Sequence, residues 1–131
     1  MAAKTQFANF LFPETVVRED GAGNSIELGN AQGKTLHLTL GITRIIEQES
    51  LEVSVWGSAD GSNWGAKPIV AYPQKFYCGT YSTEIDLSAN PDTRFLRVQW
   101  KMNRWGRGEP KPLFGFYVFA EETSRVLAAS G

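Results

Sequence analysis

Few residues in this chain of 131 could act as nucleophiles, proton shuttles or metal ligands. There is one histidine, His37, and one cysteine, Cys78. Any Ser–His–Asp or Cys–His arrangement would have to use His37, which alternates with Thr35 and Thr39 in a strand-like run. Cys78 stands in "FYCGTY" with no motif around it. A zinc site needs several His, Cys or carboxylate ligands at short spacing, and one His with one Cys does not supply them. Asp60 in "ADGSN" lacks the further acidic positions of a calcium-binding loop of the EF-hand kind. Glu84/Asp86 and Glu121/Glu122 are carboxylate pairs of the sort that ordinarily stay solvated. No phosphate-binding glycine pattern is present. The expectation is a protein that is not an enzyme, with no catalytic residues, no metal and no cofactor.

One stretch carries binding chemistry. "RVQWKMNRWGRGEPKP" (97–112) interleaves arginine and tryptophan, and such side chains can stack on bases or sugars. Trp100 falls on the apolar face of its strand, so it reads as core. Arg104, Trp105 and Arg107 fall in the Gly/Pro-rich loop 103–112 and form, with Trp56, the candidate ligand-binding set. The formal net charge of −1 and the lack of an RNA-binding signature argue against nucleic acid.

Charge is unevenly spread along the chain. Residues 94–111 hold six basic residues against one acid, Glu109; residues 14–52 hold seven acids against three bases. Two readings stay open: separate solvated surfaces, or complementary faces that meet head to tail between subunits.

The elements that must position these residues are strands. "KTLHLTLGITRII" (34–46) puts Leu36, Leu38, Leu40 and Ile42 on one face and Thr35, His37, Thr39 and Gly41 on the other, a period of two. "LEVSVWGS" (51–58) sends Leu51, Val53 and Val55 inward and Glu52, Ser54 and Trp56 outward. "RFLRVQWKM" (94–102) does the same with Leu96, Val98, Trp100 and Met102 against Phe95, Arg97, Gln99 and Lys101. "SIELG" (25–29), "PIVAY" (68–72), "FYCGTYSTEIDLS" (76–88) and "LFGFYVFAEE" (113–122) complete the set. No helical period of useful length occurs. Short strands at this spacing, with 12% aromatics and 13 glycines, predict an all-β antiparallel sandwich of jelly-roll type with about eight strands.

"SVWGSADGSNWG" (54–65) reads as a hairpin. Asp60-Gly61 is a favoured pair for a tight two-residue turn, and Trp64 then starts the return and folds back across the sheet. "QFANFLFP" supplies Phe7, Phe10 and Phe12, expected either as an edge strand tucked onto the sandwich or as an arm that docks on a neighbour. The expected organisation is an arm or edge strand over 1–13, a sandwich over 14–122 and a flexible tail over 123–131. The N-terminus lacks the apolar core of a signal peptide, and no apolar run reaches the ~18 residues of a membrane span. Synthesis in the cytoplasm, without a membrane, is therefore expected.

A hairpin "SVWGSADGSNW" ahead of a strand "TRFLRVQW" resembles the discoidin-type, galactose-binding-like β-sandwiches. With "LHLTLGIT" and "FGFYVF" it is similar also to small tail or capsid-surface proteins of bacteriophages. The resemblance covers roughly residues 25–120. It implies two functions from different classes. The first is a structural or assembly protein, a component of a phage or phage-like particle such as a virion; the aromatic arm, the segregated charge and the absent chemistry point the same way, with homo-oligomers or other particle proteins joined through Phe7, Phe10 and Phe12. The alternative is a carbohydrate-binding module that uses loop 103–112. No set of residues here matches a sugar site one by one, and discoidin domains commonly carry a terminal cysteine pair where this chain has a single cysteine.

Overall fold

The computed structural model describes residues 7–106 and 111–123. Among the described residues nine strands are present: β1 (Ala8–Val17), β2 (Gly21–Ala22), β3 (Ile26–Glu27), β4 (Thr35–Ile45), β5 (Glu49–Ser58), β6 (Val70–Ala71), β7 (Gly79–Asp86), β8 (Phe95–Arg104) and β9 (Phe114–Glu122). Short 3-10 turns at Gly29–Ala31 and Leu87–Ala89 are the only helical elements among the described residues. The period-two alternation explains the strands. In β4, Leu36, Leu38 and Leu40 are fully buried while Thr35, His37 and Thr39 are half-buried on the other face.

The strands form two antiparallel sheets, one in the order β1-β9-β4-β7 and one in the order β2-β8-β5-β6, with β3 also paired to β8. Because β2 and β3 both run along β8, they serve as one interrupted strand. The pairs are then β1 with β9, β2/β3 with β8, β4 with β7 and β5 with β6. This is a long hairpin, first strand to last, rolled across two layers: the jelly roll, as expected from the sequence.

The core lies between the layers. Leu36, Leu38, Leu40, Phe116 and Val118 come from one sheet and Leu51, Val53, Val55, Leu96 and Val98 from the other. Phe12 closes one side. Its ring centroid lies 4.7 Å from that of Trp100 and 4.9 Å from that of Phe116, so a single side chain joins both layers.

Several elements differ from their expected extent. β1 runs through Pro13 and beyond, so the expected boundary after residue 13 falls inside a strand. An edge strand tolerates proline because the lost N–H need not serve the ladder, and the pairing with β9 shifts register on either side of Phe12. β2 arises within "REDGAGNS" (18–25), whose Gly and Asp content favours a turn or short loop, and β6 keeps only two of the five residues of "PIVAY". The Asp60-Gly61 turn is not a two-residue hairpin: residues 59–69 separate β5 from β6, and Gly61 has φ of +80° while Asp60 stays at negative φ. Charge segregation along the chain is also undone in space. β5 and β8 are neighbours, with Glu52 opposite Lys101 and Glu49 opposite Arg104. Along this pair of strands acids and bases therefore share one sheet instead of forming separate faces.

Candidate functional site

The pairing directions gather four connections at one end of the sandwich: β1–β2, β4–β5, β6–β7 and β8–β9. This loop end carries Phe76, Tyr77 and Trp105, three large apolar side chains that are 40%, 72% and 53% exposed. Phe76 lies 6.1 Å from Trp105 and 6.4 Å from Tyr77 between ring centroids. With Ile45, Glu47 and Gln48 they line a shallow cavity of about 480 Å³.

The backbone beneath these rings is held in place. Glu49 is only 2% exposed. Its carboxylate accepts from the Ile46 N–H at 2.9 Å and from the Leu113 N–H at 2.8 Å, which ties the β4–β5 connection to the β8–β9 connection. The Trp105 N–H donates to the Gln48 carbonyl at 3.0 Å, and the Arg104 guanidinium donates to the Glu47 carbonyl. Leu51 and Lys75 exchange two backbone hydrogen bonds, and the Gln74 amide donates to Ser50 at 2.7 Å. Exposed aromatics on a fixed backbone lose little conformational freedom when they meet a partner.

Trp56 is not part of this cluster. It stands on the outer face of the β8-β5 sheet, where its indole N–H donates to Ser54 at 2.9 Å. It borders a separate groove of about 470 Å³ with Glu52, Gln99 and Lys101. Trp64 lies over the guanidinium of Arg97, the residue opposite Trp56, with 4.4 Å from Cζ to the ring centroid. Arg107 lies outside the described residues. Of the expected ligand set the structure therefore brings together only Arg104 and Trp105. The sequence reading missed Phe76 and Tyr77. The signal was their adjacency to Cys78 in a stretch read as strand, whose first residues instead form the β6–β7 connection.

The expected assembly phenylalanines divide. Phe12 is core. Phe7 is half-buried and packs on the core. Phe10, 43% exposed, meets Phe119 at 4.9 Å and Tyr117 at 5.8 Å edge to face on the outer surface of the β9-β4 sheet. Tyr117 lies flat over Gly41, where a Cβ would come within 2.2 Å of the ring.

The opposite end holds the first and last residues of β1 and β9, Ala8 and Glu122, and the β5–β6 loop. There the Asp60 carboxylate accepts from the backbone N–H of Asn63 at 2.9 Å, from that of Ser62 at 2.8 Å and from the Ser58 hydroxyl at 3.0 Å. These bonds favour the ionised form, and hold its carboxyl below the usual carboxylate range. Asp60 and Gly61 thus shape the tip of the loop. Burial raises the pKa of the Tyr72 hydroxyl, which has no hydrogen-bond partner among the described residues. No three His, Cys, Asp or Glu side chains gather to hold a metal ion among the described residues, and no helix there is long and apolar enough to cross a membrane.

Fold and pairing define a two-sheet jelly-roll sandwich. No protein-family model matches the sequence, and no curated protein matches it either. Among solved structures, a chain in the structure of infectious bursal disease virus, Gt strain, superimposes with a TM-score of 0.45 at 11% identity, covering 95% of this chain and 32% of that one. The protein thus spans about a third of the length of the chain it matches. A likeness at that score carries no argument about function.

Proposed function

We propose that the protein is a non-enzymatic structural or assembly protein that acts in several copies, and that its loop end is a contact surface for another protein chain. The supporting observation is the pairing of three exposed aromatics with a backbone fixed by the buried Glu49 carboxylate. Trp and Tyr held in this way are the side chains that dominate protein contacts. The particle context rests on the sequence resemblance to small bacteriophage tail and capsid-surface proteins. The test is solution mass by light scattering after size exclusion, for the parent and for Tyr77→Ser with Trp105→Ala. The parent is expected above the mass of one chain, or to shift to it when mixed with its partner, and the double variant is expected to lose the contact. A parent that stays a single chain at high concentration overturns the reading.

A second reading is favoured by the cavity beside Trp105. Its aromatic walls and the polar Glu47 and Gln48 suit a sugar ring, as the discoidin-type resemblance would have it. A glycan panel separates the two. Binding by the parent that is lost in Trp105→Ala supports the saccharide; no glycan bound by the parent removes that reading.

A further inference from the structure

The edges of the two sheets are unequal. β1 contains Pro13 and two register shifts, and β2, β3 and β6 are two residues each. β7 is different. It has eight residues, no proline, and a register with β4 that runs unbroken from Thr35↔Asp86 to Ile42↔Gly79. No strand pairs with its other side among the described residues. In an antiparallel ladder alternate residues turn their N–H and C=O groups to opposite sides, so β7 turns outward a row of backbone donors and acceptors, from Thr80 to Ile85, that no described strand pairs. Natural sheets blunt such an edge with lysine, proline, a bulge or an inward charge. β7 has none of these. Its inward residues are Tyr81, Thr83 and Ile85; its acids, Glu84 and Asp86, both sit on the exposed outer face near one end.

We propose that β7 pairs antiparallel with β7 of a second copy across a two-fold axis, which joins two four-stranded sheets into one. The strand's own sequence selects this occupant. Antiparallel partners must point to the same face, so the axis passes Ser82 or Thr83. With Ser82 on the axis, Thr80 faces Glu84, Tyr81 faces Thr83 and Gly79 faces Ile85 of the second copy. With Thr83 on the axis, Ser82 faces Glu84, Thr80 faces Asp86 and Tyr81 faces Ile85. In either register each acid within the paired strands meets a hydroxyl and none meets another acid. An in-register parallel pairing would set Glu84 beside Glu84 and Asp86 beside Asp86, which is unfavourable. The strand is therefore self-complementary in the sense that a closed two-fold contact requires.

This contact names a partner for the assembly reading and rests on it, but it uses a surface distinct from the loop end. The experiment places cysteine at the axis: Ser82→Cys and Thr83→Cys, each combined with Cys78→Ser, with Thr39→Cys on the neighbouring strand as control. Mild oxidation is expected to yield a cross-linked dimer for position 82 or 83 and none for position 39. In parallel, Ser82→Glu sets acid against acid in both registers, and is expected to weaken dimerisation about tenfold at low salt, with partial recovery in high salt and an unchanged circular dichroism spectrum. Cross-linking at neither position, in a protein whose mass exceeds one chain, overturns the β7 contact and leaves the assembly reading standing. A single-chain mass at every concentration overturns both.

Discussion

The aromatic loop end and the tip of the Asp60 loop are held by different means. At the loop end the bonds span long distances in sequence: Glu49 reaches Leu113, 64 residues on, Arg104 reaches Glu47, 57 residues back, and Arg18 donates to the Pro112 carbonyl across 94. At the other end the Asp60 loop is held by bonds between residues two or three apart. Long-range bonds exist only once the sheets are formed, so the loop end is a product of the whole fold. The side-chain bonds at the tip of the Asp60 loop link near neighbours in sequence. The loop end, whose backbone is fixed by these long-range bonds, also displays Phe76, Tyr77 and Trp105, and this makes it a defined platform.

The largest expected contrast is between Glu49→Ala and Asp60→Ala. Removing the buried Glu49 carboxylate leaves the Ile46 and Leu113 N–H groups without their acceptor. Each such loss is of the order of 1–3 kcal/mol, so a total near ~3 kcal/mol and a fall in Tm on the order of 10 °C are expected. Asp60→Ala, at an exposed site, is expected to move Tm far less. Thermal unfolding of both variants checks this, and equal shifts would erase the distinction between the ends.

Trp105→Ala sharpens the comparison from the other side. The ring is more than half exposed, while the hydrogen bond to Gln48 uses only the backbone. Stability by urea unfolding is expected to change by no more than about 0.5 kcal/mol. Binding or assembly by light scattering is expected to be lost. A large stability loss without a change in association would make Trp105 part of the fold's support instead of its contact surface.

The same contrast explains what was legible in the sequence. β4, β5, β8 and β9 were legible because alternation is a local signal, and with it came the sandwich and the inward placing of Trp100. Trp105 was legible as a loop residue for the same reason. Phe76 and Tyr77 were not, because their meeting with Trp105 depends on which connections share an end of the roll. Glu49 was unreadable: a glutamate flanked by Gln48 and Ser50 looks solvated until the Leu113 N–H arrives from β8–β9. The charge pattern misled in the reverse direction, since antiparallel pairing of β5 with β8 mixes what the linear chain separates. The Asp-Gly signal marked a turn correctly in place, but two residues could not cover a gap that the geometry fills with residues 59–69.

The smallest expected effect tests the local character of the Asp60 loop. Its carboxyl is held below the usual carboxylate range by the Asn63 and Ser62 N–H groups and the Ser58 hydroxyl. A group whose folded pKa is depressed stabilises the fold above its unfolded pKa, and that contribution fades as pH falls through the folded value. Asp60→Asn is therefore expected to be slightly less stable than the parent at pH 7, with the difference closing in acid as the parent's carboxylate takes up its proton. Because the bonds are local and exposed, the amide shifts that follow this titration should be those of residues 58–63, while Glu49, Trp105 and the loop end stay unchanged. Amide spectra recorded through the acid range decide it: a titration that spreads to Ile46 or Leu113 would show the two ends to be coupled, and the local reading of the Asp60 loop would fall.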